Sequence, residues 1–327
     1  YVAAPLIPAG KVVQLQPSQD LAVRETNVKN WVQTHYVENP DMRAMLCEQM
    51  KGFRLSASAL NSFVNIIYAG PKDFYEKYVL KTEFGPDTWQ LVFGNLMHAT
   101  FEKVAKEGLS DEEATEYYLS ELENYDTTEE IRRLCREKGP ESLALSLTEF
   151  GDVVRRGKAE VSFGAENIVV SSVPIGGKID LMVVDNDAKT IEVYDYKTGV
   201  YHDGRWTAEP SLFDHAMQLE FYRLLLNNSR EYRNYQVTQG HILYVAADRD
   251  NEVHDKVYEF GDTVQFYSRN KLDFEFKLTE LIVALHPMMT SLSFVNDPEI
   301  FIDSDKQRTM PKLRDFIKLL LAKASEK

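Results

Sequence analysis

Cysteine is nearly missing from this chain of 327 residues: Cys47 and Cys135 are the only two. So few thiols do not make a disulfide framework, and a reducing, cytoplasmic setting is expected. No apolar run approaches the roughly 20 residues that span a bilayer, so no membrane partner is expected. The opening Tyr1-Val2-Ala3-Ala4-Pro5 lacks the basic-then-apolar layout of a signal peptide, which predicts no export signal. The chain also starts without Met, as a fragment cut from a longer polypeptide or a processed chain would. There is no Gly-x-x-x-x-Gly-Lys-Ser/Thr run. Gly176-Gly177-Lys178-Ile179 has neither the spacing nor the hydroxyl, so the chain is not expected to bind ATP itself. No Cys/His spacing suits structural zinc, and neither Gly-x-Ser-x-Gly nor another nucleophile motif appears. Internal repeats and low-complexity segments are absent. Basic charge is in short supply: 37 Lys and Arg stand against 51 Asp and Glu, a net −14.

What is present is core-forming material. With 44% hydrophobic and 11% aromatic residues, the chain can bury a large interior, read as one domain plus appendages. Its most informative segment is Gly177-Lys178-Ile179-Asp180, followed by Glu192-Val193-Tyr194-Asp195-Tyr196-Lys197-Thr198-Gly199. Residues 175–184 and 190–196 are rich in Ile, Val and Tyr, with Asp185-Asn186-Asp187 as turn chemistry between them. Along a strand side chains alternate faces, so Asp195 and Lys197 point one way and Tyr194 and Tyr196 the other. If the hairpin turns on Asp187-Ala188, Asp180 lies opposite Asp195, with Cβ atoms roughly 5 Å apart. Two carboxylates so placed repel unless a cation sits between them. A metal site with a lysine beside it is the economical reading; on composition alone, a solvated outer face is the commoner outcome.

Around this hairpin the pattern alternates in class. Residues 1–50 form an N-terminal extension or docking arm, with a strand-like run at 11–16 and helical segments near 20–37 and 40–50. Helical patterns at 56–66, 71–80 and 88–107 make up a lobe over 51–158. Ser110-Asp111-Glu112-Glu113 and Thr127-Thr128-Glu129-Glu130 read as capping boxes opening helices at 111–124 and 128–138, with a further helix at 140–156. Strands cluster from 159 to 197; a polar, aromatic loop, a helix at 213–228, a strand at 236–246 and a shorter one near 255–260 complete a core over 159–260. Helices near 262–286 and 309–325 form a C-terminal helical segment, 261–327, packing on that core. The expected class is α/β, with a mixed sheet flanked by helices and a helical N-terminal lobe, because a helix between strands permits a parallel crossover.

Several motifs in this order resemble a known family. Gly-Lys-Ile-Asp at 177–180, Asp-Tyr-Lys-Thr-Gly at 195–199 and Gln218-Leu219-Glu220-Phe221-Tyr222 in the following helix resemble the PD-(D/E)XK nuclease superfamily. Within it, they are most like the RecB/AddAB type fused to or partnered with DNA helicases. Leu55-Ser56-Ala57-Ser58-Ala59-Leu60-Asn61-Ser62-Phe63 with Pro71-Lys72-Asp73-Phe74-Tyr75 is similar to the family's opening helix, and Phe93-Gly94-Asn95-Leu96-Met97-His98 to its histidine motif. Each motif alone is weak; five in order from about 54 to about 247 are strong. The resemblance implies a restriction-endonuclease-like αβββαβ core and a metal-dependent deoxyribonuclease. It also implies exonucleolytic processing of DNA ends or single strands in repair or recombination, with a helicase domain or subunit as partner. A nuclease-fold module that binds DNA or a partner without cutting, and a restriction-type endonuclease, are the competing readings.

By the same resemblance, Asp180 and Asp195 are metal carboxylates, the Tyr196 carbonyl a third oxygen, and His98 a metal ligand. Outside that resemblance, a lone helical His is usually structural. Lys197 orients or deprotonates water, or stabilises transition-state charge. Mg²⁺ prefers carboxylates, water and phosphate, whereas an imidazole ligand makes Mn²⁺ a credible activator. Glu160 is either the acid for a second metal or water activation, or a surface strand-end residue. Gln218 and Tyr222 are four apart on one helical face; in the family this pair positions the lysine or the DNA backbone. His215 reads as structural. Tyr201, His202, Arg205 and Trp206 form either a single-strand stacking platform or a mobile loop with incidental aromatics. Relatives that hold an iron–sulfur cluster carry four cysteines; this chain cannot supply them, so no cluster is expected. Phosphate neutralisation by Lys and Arg supplies most non-specific DNA affinity, so at −14 the DNA channel is local or other domains hold the DNA. The clusters Arg132-Arg133, Arg136, Lys138 and Arg155-Arg156-Gly157-Lys158 read more readily as solvated helix faces than as DNA contacts.

Overall fold

Helices come first and a sheet follows, as the change from helical to alternating pattern near residue 158 requires. A computed structural model describes residues 40–82, 88–302 and 307–325. The leading helices are α1 (Pro40–Met50), α2 (Ala57–Val64), α3 (Pro71–Phe74), α4 (Trp89–Glu107), α5 (Asp111–Asn124) and α6 (Glu129–Arg156). Strand β1 (Lys158–Ser162), a small hairpin of β2 (Ile168–Val170) and β3 (Val173–Ile175), then β4 (Lys178–Asp185) and β5 (Thr190–Lys197) follow. The chain continues through α7 (Pro210–Asn228), β6 (Gln236–Tyr244), β7 (His254–Glu259), β8 (Val264–Ser268), β9 (Lys271–Phe276), α8 (Leu278–Ser291) and α9 (Met310–Ser325).

Contacts divide the chain into two units, Tyr1–Glu48 and Gln49–Lys327. In the first, the expected run at 11–16 and helix at 20–37 lie outside the described residues; the helix expected near 40–50 is α1. The second unit holds the helical lobe, the sheet and the C-terminal helices together.

Five strands form one mixed sheet in the order β1-β4-β5-β6-β7. β5 and β6 are parallel, because α7 carries the chain back over the sheet between them, and the other neighbours are antiparallel. The β4–β5 turn is centred where Asp187-Ala188 requires: Asp185 pairs with Thr190, and the Asp185 carboxylate accepts the N–H groups of Asp187 and Ala188 at 2.9 and 2.8 Å. The Leu181↔Tyr194 pairing, carried one residue further, sets Asp180 across from Asp195. A restriction-endonuclease-like core of this kind is the architecture expected.

The two sheet faces are dressed differently. Tyr194, Tyr196, Leu181 and Leu243 join one buried cluster with Phe93, Leu96, Phe101 and Leu147 of α4 and α6, each such side chain contributing about 1.5–3 kcal/mol on burial. α7 packs against β5 and β6 and also against α2 and α8, so it is enclosed on most sides. Gly240 permits the α7 approach, since a Cβ there would lie only 3.0 Å from the Leu219 side chain.

Local signals set most helix ends. Ser110 and Glu113 form the expected capping box on α5. The second box does not form: Thr128, not Thr127, caps α6, and the position that would return the bond is Ile131. Two expected helices, 128–138 and 140–156, are one helix that continues through Pro140. The lobe's packing overrides the missing N–H: at Gly139 the buried Tyr118 lies so close that a Cβ would sit 2.1 Å from its hydroxyl, which donates to the Cys135 carbonyl at 3.1 Å. The helix expected from 262 is also corrected. Residues 264–276 form the β8–β9 hairpin, turned on Arg269 and Asn270 at φ 47° and 63°, and helix begins only at Leu278. Two successive positive φ values are what a two-residue hairpin turn demands.

Gly139→Ala should destabilise the protein by about 1–3 kcal/mol through overpacking against Tyr118, with α5 and α6 forced apart; a urea titration monitored by circular dichroism reads it directly.

Candidate active site

Three carboxylates stand abreast on three neighbouring strands. The β1–β4 ladder pairs Ala159 with Leu181 and Val161 with Ile179, passing over Glu160, which stands beside Asp180. Glu160 has φ 54°, a left-handed conformation costly for a non-glycine residue inside a strand and of the kind that clusters at functional sites. Asp180 is in turn flanked by Asp195 on β5. Each member of the row has a cation. Lys178, two residues before Asp180 on the same face of β4, pairs with Glu160. The Lys197 ammonium lies 2.6 Å from Asp195 Oδ2. His98 on α4 places Nδ1 3.5 Å from Glu160 Oε1 and 3.7 Å from Asp180 Oδ2.

Asp195 is fully buried, and α7 clamps it. Gln218 Nε2 and the Tyr222 hydroxyl donate to its Oδ1 at 2.6 and 2.9 Å, while Gln218 Oε1 accepts from Lys197 at 2.9 Å. One amide therefore fixes both the aspartate and the lysine. The Tyr196 backbone N–H donates to Asp180 Oδ2 at 3.2 Å, and its ring packs on Phe101 and edge-on to His98.

The electrostatics follow from burial. Asp180 is pushed up to about 7, first by burial and then by the Asp195 charge, against the pull of His98 and Lys197. Burial also works against the charged form of Asp195, yet Lys197 holds its carboxyl below the usual range. Glu160 goes down too: burial raises it, but His98 and Lys178 outweigh that. His98 is raised because Glu160, Asp180 and Asp195 together exceed the cost of burying an imidazolium. His215 goes the other way, down to about 3 through burial and Lys197; it sits neutral with Nδ1 3.2 Å from the Tyr244 hydroxyl.

Ligand atoms of His98, Glu160 and Asp180 all lie within 4.8 Å of one another. One imidazole and two carboxylates make a donor set that fits a divalent cation such as Mg²⁺ or Mn²⁺. Asp195 is outside this trio: its Oδ1 accepts from Gln218 and Tyr222, and its Oδ2 faces the Lys197 ammonium. The sequence motif contained Lys178 without a role for it; its spacing from Asp180 was the available signal. Asp214, one turn before Gln218 on α7, was also passed over: its carboxylate accepts from Asn65 at 2.8 Å and is pushed up to about 7 by burial. Of the flagged basic clusters, Arg132, Arg133, Arg136 and Arg155 pair with Glu129, Glu137, Glu123 and Asp111, as solvated helix faces do.

Residues 54–313 match the family model of the PD-(D/E)XK nuclease superfamily. The chain belongs to that superfamily, and its activity is of the nuclease type. No curated protein matches it. Among the described residues, no helix is long and apolar enough to cross a membrane.

Because the folded state raises Asp180 from 3.8 to about 7, it binds a proton that the unfolded chain has released, and stability falls as pH rises between those values. Asp180→Asn should remove that loss: in EDTA at pH 8 the variant should be more stable than wild type, by up to about 4 kcal/mol, while near pH 4 the two converge. Chemical denaturation at both pH values checks this.

Proposed function

We propose that the chain is a metal-dependent deoxyribonuclease of the RecB/AddAB-like type, acting exonucleolytically on DNA ends or single strands within a helicase–nuclease that serves repair or recombination. The observation that carries it is the convergence of His98, Glu160 and Asp180 within 4.8 Å, beside an Asp195–Lys197 pair held by Gln218. In this reading His98, Glu160 and Asp180 hold Mg²⁺ or Mn²⁺, with Asp195 and the Tyr196 carbonyl as further oxygen donors. The ion supplies Lewis acidity towards the scissile phosphate and lowers the pKa of water.

The chain's own groups do the remainder. Lys197, at the end of β5, carries its charge where an attacking water or a phosphoryl oxygen arrives, and so orients the one or stabilises the developing charge on the other. Gln218 spends both ends of its amide on fixing Lys197 and Asp195, so neither has to reorganise during reaction. Tyr222 donates to Asp195, and the Lys197 charge keeps that carboxylate anionic despite its burial. Glu160 reaches the site from the opposite side of Asp180, and Lys178 and His98 keep it anionic as a donor to the ion.

Cleavage of end-labelled single- and double-stranded DNA with Mg²⁺, Mn²⁺ or EDTA tests the reading. Wild type should degrade DNA with either metal and not in EDTA. Asp195→Ala and Lys197→Ala should each lose the activity. Gln218→Ala keeps both charges but frees them, and should lower the rate by about 10- to 100-fold. Cleavage of closed circular DNA as readily as linear DNA would replace the exonuclease with an endonuclease. Metal binding should weaken as pH falls below about 7, because a proton on Asp180 competes with the ion. Isothermal titration with Mn²⁺ at two pH values measures that, and an inert wild type that also binds no metal would leave a non-catalytic module.

A further inference from the structure

The loop after Lys197 is docked on the sheet edge by aromatic and cationic side chains. The Tyr201 ring stacks on His254 of β7 with centroids 4.1 Å apart and meets Tyr244 edge-on at 5.3 Å. Trp206 lies edge-on to Tyr258 at 5.0 Å. The Lys256 ammonium is 5.3 Å from the Trp206 ring centre and 6.0 Å from that of Tyr201, and the Arg205 guanidinium is 4.6 Å from that of Tyr267.

Three observations set this strip apart. Arg205 and Lys256 form no ion pair among the described residues, whereas Arg133, Arg136 and Arg155 of α6 are neutralised by glutamates and an aspartate. Two acids bond to rings of the strip itself: Asp203 accepts from the Tyr201 hydroxyl at 3.3 Å, and Asp248 pairs with His254 Nε2 at 2.7 Å. The strip also begins at the catalytic strand. Tyr244 is the register partner of Lys197, and Val200, 77% exposed, is the most exposed of the large apolar side chains among the described residues.

We propose that Tyr201, Arg205, Trp206, His254, Lys256 and Tyr267 form a binding strip for single-stranded DNA leading to the catalytic site. This deepens the nuclease reading and rests on it for the direction of the strand. Cations next to aromatic rings match the alternation of phosphate and base along one strand, and rings can stack only on bases that are not already stacked in a duplex. The strip is local, as an acidic chain requires: its attraction comes from two cations that the protein has not already spent on its own acids.

The test is fluorescence anisotropy of a short labelled oligothymidylate in EDTA, with a duplex of the same length as comparison. Wild type should prefer the single strand. Trp206→Ala and Lys256→Ala should each weaken single-strand binding by about tenfold, and Trp206→Phe should keep most of it. Unchanged affinity in both alanine variants, with circular dichroism and melting as in wild type, overturns the proposal, as does a wild-type preference for duplex. Should Trp206→Ala unseat the loop, Arg205→Glu at its exposed position decides: it must weaken binding and flatten the salt dependence. Metal-dependent cleavage is scored separately. Cleavage with binding indifferent to these variants sinks the strip alone. Strip-dependent binding without cleavage by wild type sinks the nuclease reading and leaves the surface standing.

Discussion

Three carboxylates in a row cannot share a water-poor site unless charge is brought to them, and much of this fold serves that need. Two like charges about 5 Å apart repel by about 3 kcal/mol at an effective dielectric near 20. The chain meets the repulsion at each member in turn: Lys178 against Glu160, Lys197 against Asp195, His98 between Glu160 and Asp180. Asp180, the central member, is left to hold a proton near neutrality. A divalent cation would take that proton's place. The arrangement is therefore a binding site for positive charge before any reaction is considered.

Holding it demands five separate elements in register. β1, β4 and β5 supply the acids, α4 brings His98 from the helical lobe, and α7 supplies the clamp on Asp195. The hydrophobic cluster beneath Tyr194 and Tyr196 fixes α4 to the sheet, so lobe packing sets the distance from His98 to Asp180. On the other face α7 is enclosed by β5, β6, α2 and α8. A helix buried on most sides has little freedom to roll, which is what Gln218 needs if one amide is to position two charged groups.

The sequence exposed the parts of this that depend on local chemistry. Asp185-Asn186-Asp187 fixed the turn, alternation fixed the faces, and together they placed Asp180 against Asp195. Gln218 and Tyr222 were legible as a pair through their spacing of four. Glu160 was ambiguous because its importance comes from a left-handed backbone beside Asp180, a tertiary feature with no sequence mark. Local rules failed where packing outweighed them. Gly139-Pro140 reads as a helix stop, yet Tyr118 fills the space above Gly139 and the helix runs on. At 264–276 a helix was expected, whereas Arg269 and Asn270 take the turn conformation that makes a hairpin.

The acidity of the chain, taken with the site, constrains how nucleic acid would be held. Lys178 and Lys197, which lie beside the acidic row, are occupied by Glu160 and Asp195. They offer phosphate far less attraction than free ammonium groups would. A bound divalent ion brings the site positive charge that is not already paired, and stacking supplies affinity that needs no net positive charge. On the nuclease reading, metal and substrate binding are thus coupled: without the ion the row has no unspent positive charge to offer the backbone it would cut. Engagement away from that row then has to come from rings and a few unpaired cations, which makes a single strand with accessible bases a better fit than an intact duplex.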